Sequence, residues 1–122
     1  MLIPFLIAKI HRARVTGADI NYNGSISIDE EIMEKAQIRH FQQVDIYDIS
    51  NGNRFTTYAI PAPAGSRAFI INGAAAHLTR PGNQIIVAAY GMIDERELNT
   101  RHSITLVLDD ANAVEKTVTG RI

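Results

Sequence analysis

Short β-type runs alternate with turn signals along almost the whole chain, and this alternation most limits its possible folds. The turn signals are three Asn-Gly pairs, which begin at residues 23, 51 and 72, and one Pro-Gly pair at 81–82. Glycine and asparagine tolerate positive φ and proline fixes φ, so such pairs favour chain reversals between strands. The predicted strands are residues 5–15, 26–28, 44–49, 54–60, 68–71, 84–90, 103–108 and 113–119. Many short strands at this spacing are typical of a small barrel or sandwich, so we predict a mainly β domain.

Several local features refine this prediction. Residues 50–53 and 109–112 each join two predicted strands and are expected to form hairpin turns. Asp29 precedes a short apolar and acidic run and is expected to cap a helix that ends near residue 36. Alternation in the first strand places four residues on one face: Lys9, His11, Ala13 and Val15.

Size and charge narrow the class of protein. The chain has 122 residues, enough for one domain spanning residues 1–122 but not for two. Its formal net charge is −1, which predicts no nucleic-acid or membrane partner. It contains no cysteine, as expected of a protein of the reducing cytoplasm. The apolar start MLIPFLIAKIHRAR has its cations after the apolar run, so we interpret it as a buried strand rather than a signal peptide.

The segment NYNGSIS, residues 21–27, contains the chemically most suggestive pair of residues, Gly24-Ser25. Most Asn-Gly pairs are plain turns, and that interpretation stays open here. A serine after a strained glycine carbonyl can also attack that carbonyl and convert the amide to an ester. Elimination from the ester leaves dehydroalanine, which hydrolyses to a pyruvoyl group. A third interpretation is a hydrolase with Ser25 as nucleophile and His11 as base.

Other side chains add a possible anion pocket but no metal site. The histidines lack metal-ligand spacing, and NGAAAH lacks the lysine and hydroxyl of a phosphate-binding loop. Lys9 and Arg54 each lie in a β-type run, on the same face as His11 and Tyr58 respectively. They fit either a solvent-facing strand or a pocket for carboxylates.

Three segments resemble the pyruvoyl-dependent aspartate 1-decarboxylase family. They are KIHRARVTGADINYNGSISID at 9–29, NGNRFTTYAI at 51–60 and INGAAAH at 71–77, in the order and spacing of that family. The resemblance covers roughly the first two-thirds of the chain and loosens beyond about residue 91.

The resemblance implies a double-psi β-barrel that assembles as a homotetramer with active sites between subunits. The chain would cut itself between Gly24 and Ser25 into fragments 1–24 and 25–122, and Ser25 would become the pyruvoyl group. Some members of that family need an accessory maturation protein to promote cleavage, and no motif in this sequence decides whether this chain has such a partner.

The resemblance also implies roles for individual residues. Tyr58 would donate a proton in catalysis, and Thr57 would assist self-cleavage by stabilising its oxyanion. Lys9 and Arg54 would hold substrate carboxylates. The other expected site residues are Thr57, Asn72, Gly73, Ala74 and Ala75 for substrate binding, with His11 and Tyr22 in supporting positions.

The implied reaction is decarboxylation of L-aspartate to β-alanine and carbon dioxide. The pyruvoyl ketone would form a Schiff base with the substrate, in place of pyridoxal phosphate and without a metal. The β-alanine would enter pantothenate and coenzyme A synthesis. The alternative is a non-catalytic β-barrel binding or regulatory module, which would keep an intact chain.

Overall fold

The computed structural model describes residues 1–121 and shows a mainly β fold with short helices. The strands are β1 Leu2–Arg14, β2 Gly17–Asp19, β3 Ser25–Asp29, β4 Gln43–Asp48, β5 Arg54–Ala62, β6 Phe69–Asn72, β7 Gln84–Asp94, β8 His102–Leu108 and β9 Val114–Arg121. The helices are α1 Glu30–Ala36 and two 3₁₀ helices, Gly73–His77 and Glu95–Thr100. The predicted mainly β fold class with short helices is confirmed, and it is consistent with a β-barrel. Within residues 1–121, no helix has the length and apolar character needed to cross a membrane.

The nine strands follow the order β2-β6-β3-β5-β4-β7-β1-β8-β9. Three pairs are parallel, namely β1 with β8, β2 with β6, and β3 with β5. The other pairs are antiparallel. Strand β3, which begins at Ser25, therefore lies between β6 and β5, and both neighbours carry residues of the expected site.

The core is built from alternate residues of these strands. Every second residue of a strand points to the same face, so β3 contributes Ile26 and Ile28 and β6 contributes Phe69 and Ile71. All four are fully buried. Their burial fixes the register of β3 against β6, because a slip of one residue would expose the whole set.

The prediction that Lys9, His11, Ala13 and Val15 share one face of the first strand is wrong for the last two. Ala8 and Ile10 face the core, as alternation requires, but so do Ala13 and Val15. The register against β7 slips by one residue between Ile10 and Ala13, and Arg12 has a φ of +65° within that step. This β-bulge inserts one extra residue and reverses the facing of everything after it.

The predicted helix cap is confirmed. The Asp29 carboxylate accepts the Glu31 N–H at 2.9 Å, and also the backbone N–H groups of Gly65 and Arg67 at 3.0 and 2.7 Å. A residue of the strand–helix junction thereby also fixes the distant 65–67 loop.

The hairpin between β4 and β5 depends on a buried carboxylate. Asp48 accepts backbone N–H groups of Ser50 and Asn51 at 2.7 and 3.1 Å and the Asn83 side chain at 2.9 Å. Burial alone would raise the pKa of Asp48, but the nearby Thr79 hydroxyl, Asn83 and the two backbone donors together lower it below its ordinary value. The predicted hairpin at 50–53 is confirmed, and so is the one at 109–112.

Candidate active site

Ser25 is the first residue of β3 and is buried, with 1% of its surface exposed. Its Oγ donates to the Asn23 carbonyl oxygen at 3.2 Å and accepts from Nδ2 of Asn72 at 3.0 Å. The described chain is continuous through Gly24–Ser25, so this is the geometry of the uncut polypeptide. The hydroxyl is therefore held in a fixed direction next to the bond that is expected to break.

Asn72 reaches Ser25 because of strand register. The two residues are direct partners in the antiparallel pairing of β3 with β6. The Asn72 side chain also donates to Ser27 Oγ at 2.9 Å, and the residue is 4% exposed. One buried amide thus orients two serines on the same face of β3.

Gly73 packs directly against the backbone of Gly24. A Cβ on residue 73 would lie 2.7 Å from Cα of Gly24, 2.8 Å from its nitrogen and 3.0 Å from the Tyr22 carbonyl oxygen. Residue 73 also has a φ of +75°, a conformation that L side chains rarely adopt. Only glycine fits at this position without displacing the turn that precedes Ser25.

Thr57 and Tyr58 belong to β5, the parallel neighbour of the strand that begins at Ser25. The parallel pairing sets Ile26 opposite Ala59, so the same register carried one residue back brings Tyr58 level with Ser25. Carried back two residues, it brings Thr57 level with Gly24, the residue before β3. Neighbouring strand residues point to opposite faces, but both residues contribute to one open cleft. This cleft measures about 500 Å³ and is lined by Phe41, Gln43, Thr56, Thr57 and Tyr58.

The two expected carboxylate-binding cations lie farther from Ser25. Arg54 begins β5, and its guanidinium carbon lies 4.0 Å from the centre of the Tyr47 ring. Lys9 is half-buried on β1, whose sheet neighbours are β7 and β8. Neither cation forms an ion pair within the described part of the chain.

His11 also belongs to β1, and the structure does not join it to Ser25. Burial lowers the pKa of His11, and the positive charges of Lys9 and Arg12 lower it further. Its Nδ1 is buried and has no hydrogen-bond partner among residues 1–121. A serine hydrolase needs a hydrogen bond from nucleophile to base, and Ser25 Oγ bonds to Asn23 and Asn72 instead.

The remaining expected residues surround the turn. Ala74 and Ala75 belong to the 3₁₀ helix that follows Asn72; Ala74 is exposed, and Ala75 packs against the core. Tyr22 has an exposed side chain just before the Gly24–Ser25 bond.

Sequence reasoning missed the contacts that join these residues. It treated the pair Asn72-Gly73 as a turn or as pocket lining, whereas the structure has Asn72 holding the Ser25 hydroxyl and Gly73 packed on Gly24. It also missed Tyr47, against which Arg54 stacks. The spacing of charges or turns along the chain carries no signal for such contacts.

Comparison with known proteins shows the family. The family model described as Aspartate decarboxylase matches residues 1–115. The protein of Phenylobacterium zucineum (strain HLK1) named aspartate 1-decarboxylase is 45% identical over 116 residues, which are 95% of this chain and 98% of that protein. Those of the same name from Maricaulis maris (strain MCS10) and Hydrogenobaculum sp. (strain Y04AAS1) are 49% identical over 114 residues and 50% identical over 109 residues. These matches cover 93% and 89% of this chain and 94% and 86% of the two relatives. The chain with the buried Ser25 after Gly24 therefore belongs to the aspartate decarboxylase family.

Proposed function

We propose that this chain is a carboxy-lyase that converts L-aspartate to β-alanine and carbon dioxide after cutting itself between Gly24 and Ser25. One observation carries the proposal: a buried serine hydroxyl follows a glycine directly and is oriented by Asn72, in a chain of this family. The name of these relatives, aspartate 1-decarboxylase, gives aspartate as the compound on which they act. We extend that substrate to this chain, and we assign its β-alanine to pantothenate and coenzyme A synthesis in the cytoplasm.

The proposed self-cleavage uses groups that already lie together. Ser25 Oγ attacks the Gly24 carbonyl carbon, and the peptide C–N bond breaks as an ester C–O bond forms. Loss of the Ser25 α-proton then expels the Gly24 carboxylate, and the resulting dehydroalanine takes up water and releases ammonia. The Asn72 amide fixes the attacking oxygen, and the Asn23 carbonyl accepts a hydrogen bond from the hydroxyl. The hydroxyl proton passes to the Ser25 nitrogen, which becomes a free amine. Thr57, level with Gly24 on β5, is the proposed donor to the oxyanion.

The surroundings of Ser25 fit the small pyruvoyl group that this chemistry leaves. The Asn72 amide is a donor within hydrogen-bond reach of an oxygen at residue 25. Space remains beside the turn, because a Cβ on Gly24 would meet no atom within 4 Å. A pyruvoyl group supplies the electron sink that loss of an α-carboxylate requires.

The chain's own side chains supply binding and proton transfer in this proposal. Arg54 presents a planar guanidinium, which can bind a carboxylate through two parallel hydrogen bonds. Lys9 supplies a second positive charge. Tyr58, level with Ser25, protonates the substrate carbon after carbon dioxide leaves.

We further propose that the active site forms between subunits of a homotetramer. Lys9 lies on the outer face of β1, because its neighbours Ala8 and Ile10 face the core. Four strand-to-strand steps separate β1 from β3, about 19 Å along the sheet. Outward-facing side chains this far apart on a curved sheet cannot converge on one small dicarboxylate, whereas a second copy could bring its own Lys9.

The test is mass spectrometry of the denatured protein together with an assay for β-alanine. We expect fragments 1–24 and 25–122, the larger lighter by one ammonia than hydrolysis alone would make it, and β-alanine from L-aspartate. Ser25→Ala is the control and should stay intact and inactive. A wild-type chain that stays whole through prolonged warming and makes no β-alanine would support the binding-module alternative. Cleavage completed only by added cell extract would assign a maturation protein as partner.

A further inference from the structure

Arg54 is stacked on an aromatic ring rather than paired with a carboxylate. Tyr47 and Arg54 are direct cross-strand partners in the pairing of β4 with β5. The guanidinium carbon lies 4.0 Å from the centre of the Tyr47 ring, within cation–π distance. No ion pair or side-chain hydrogen bond occupies the N–H donors of Arg54 within the described residues, so they are available to bind a ligand.

The Tyr47 ring is itself fixed by a residue from a third strand. Its hydroxyl lies 2.8 Å from the hydroxyl of Tyr90 on β7 and makes a longer contact of 3.5 Å with Oδ2 of Asp45. The hydrogen bond with Tyr90, burial and the nearby Tyr90 and Asp45 raise the pKa of Tyr47 to about 12, against a smaller opposing effect of Arg54. Tyr47 therefore stays neutral near pH 7, so it forms no ion pair with Arg54.

The acidic side chain in the same cleft as Arg54, that of Asp45, does not pair with Arg54 within the described residues. Asp45 accepts a hydrogen bond from Thr56 Oγ1 at 2.7 Å, in addition to its contact with Tyr47. The Asp45 carboxylate is thus bound by the Thr56 and Tyr47 hydroxyls. Without these contacts it would compete with a ligand carboxylate for the Arg54 guanidinium.

These side chains open onto a common cleft. It measures about 430 Å³ and is lined by Asp45, Tyr47, Arg54, Phe55 and Thr56. This volume is within the range of small-molecule sites. The free edge of the guanidinium is the principal donor available to an anion there.

We infer that Tyr47 and Tyr90 are positioning residues that hold the Arg54 guanidinium in the orientation that binds a substrate carboxylate. The inference rests on the proposed function, because it takes Arg54 to bind that carboxylate. Tyr47 provides the ring over which the guanidinium lies. Tyr90 keeps the Tyr47 ring from turning away, and neither residue acts in the chemical step.

The test compares three variants: Tyr47→Leu, Tyr47→Phe and Tyr90→Phe. Tyr47→Leu removes the ring, and we expect KM for L-aspartate to rise roughly tenfold with kcat nearly unchanged. Tyr47→Phe retains the ring and is the matched control, with a rise of roughly twofold to threefold. Tyr90→Phe removes the Tyr47–Tyr90 hydrogen bond but keeps the contact of Tyr47 with Asp45, and it should raise KM by a similar or smaller factor than Tyr47→Phe. Self-cleavage, followed by mass spectrometry, should be normal in all three.

A binding measurement separates this inference from the proposed function. Succinate, a dicarboxylate without the reacting amine, is titrated calorimetrically into each protein, and its Kd should follow the same order as KM. If the Kd for succinate followed this order across wild type and the three variants but wild type left aspartate unchanged, the proposed function would fail and the positioning role would stand. Equal KM and Kd in Tyr47→Leu and wild type would overturn the inference, and so would a fall in kcat with unchanged KM. If Tyr47→Leu did not fold, unchanged KM and Kd in Tyr90→Phe would overturn it.

Discussion

At the scale of single residues, the backbone around the Gly24–Ser25 bond requires glycine at residue 73 for two reasons. Its φ is +75°, and a side chain there would meet Gly24 at 2.7 Å. The second reason is the stronger, because the atoms in the way belong to backbone and cannot rotate aside. Gly73 therefore fixes the path of the chain just before Ser25.

We predict that Gly73→Ala slows or abolishes self-cleavage, because the added methyl group pushes the Gly24 carbonyl away from Ser25 Oγ. The fraction of uncut chain is followed over time by denaturing mass spectrometry. Gly52→Ala is the matched control, since residue 52 has a φ of +81° but nothing within 4 Å of its added Cβ. The control suffers only the backbone strain, about 1 kcal/mol, and should be cut normally. Equal cleavage rates in the two variants would contradict a role for this close packing.

At the scale of elements, Asp48 joins the end of β4 to the turn before β5 and to the segment before β7. Its carboxylate accepts two backbone N–H groups of the turn and the side chain of Asn83. The hairpin carries Arg54 at the start of β5. A change at Asp48 is therefore expected to reach the candidate site through the hairpin.

The lowered pKa of Asp48 makes part of the stability depend on pH. Because the folded pKa lies below the ordinary value of 3.8, folding favours the ionised form. That stabilisation is complete well above pH 3.8 and is lost as pH falls through the folded pKa. We predict that Asp48→Asn lowers the free energy of unfolding by about 1–2 kcal/mol at pH 7, and that the difference from wild type shrinks on acidification.

Urea unfolding of wild type and Asp48→Asn at pH 7, 5 and 3 checks this prediction. Glu115→Gln changes an exposed carboxylate on β9 and should follow wild type at every pH. A difference between wild type and Asp48→Asn that stays constant from pH 7 to pH 3 would show that the charge of Asp48 is not its cause.

At the scale of the whole molecule, Lys9 and Ser25 lie on different parts of the sheet. Lys9 is on the outer face of β1, and Ser25 is on β3, four strands away in the sheet order. A site that uses both residues therefore calls for two copies of the chain. In a closed symmetric assembly, every interface of the same kind between two copies places the same two surfaces together, so each such interface could form one such site.

We predict that two inactive variants restore each other's activity when they are produced together. Lys9→Ala and Ser25→Ala should each be nearly inactive alone. In mixed assemblies, random association gives about a quarter of the sites an intact Ser25 beside an intact Lys9 from the other chain. Decarboxylation by the coproduced pair, compared with the two proteins mixed after purification, measures the recovery. No recovery in assemblies shown to contain both chains would place Lys9 and Ser25 of one site in the same subunit.

The sequence by itself determined the features that depend on near neighbours. The strand and turn pattern predicted the mainly β fold, and Asp29 marked the start of α1, because alternation and capping involve residues only a few positions apart. The family was likewise indicated by short stretches of consecutive residues, namely the pair Gly24-Ser25 and the three matching segments.

Only the tertiary structure decided which distant residues meet. The bulge at Arg12 reversed the facing of Ala13, at the point where two polar residues, His11 and Arg12, follow each other in the sequence. Asn72 reaches Ser25 across 47 residues, and Tyr47 reaches Tyr90 across 43. These contacts follow from the register between strands, which is set by burial of the whole core and by bulges, and no local pattern encodes it.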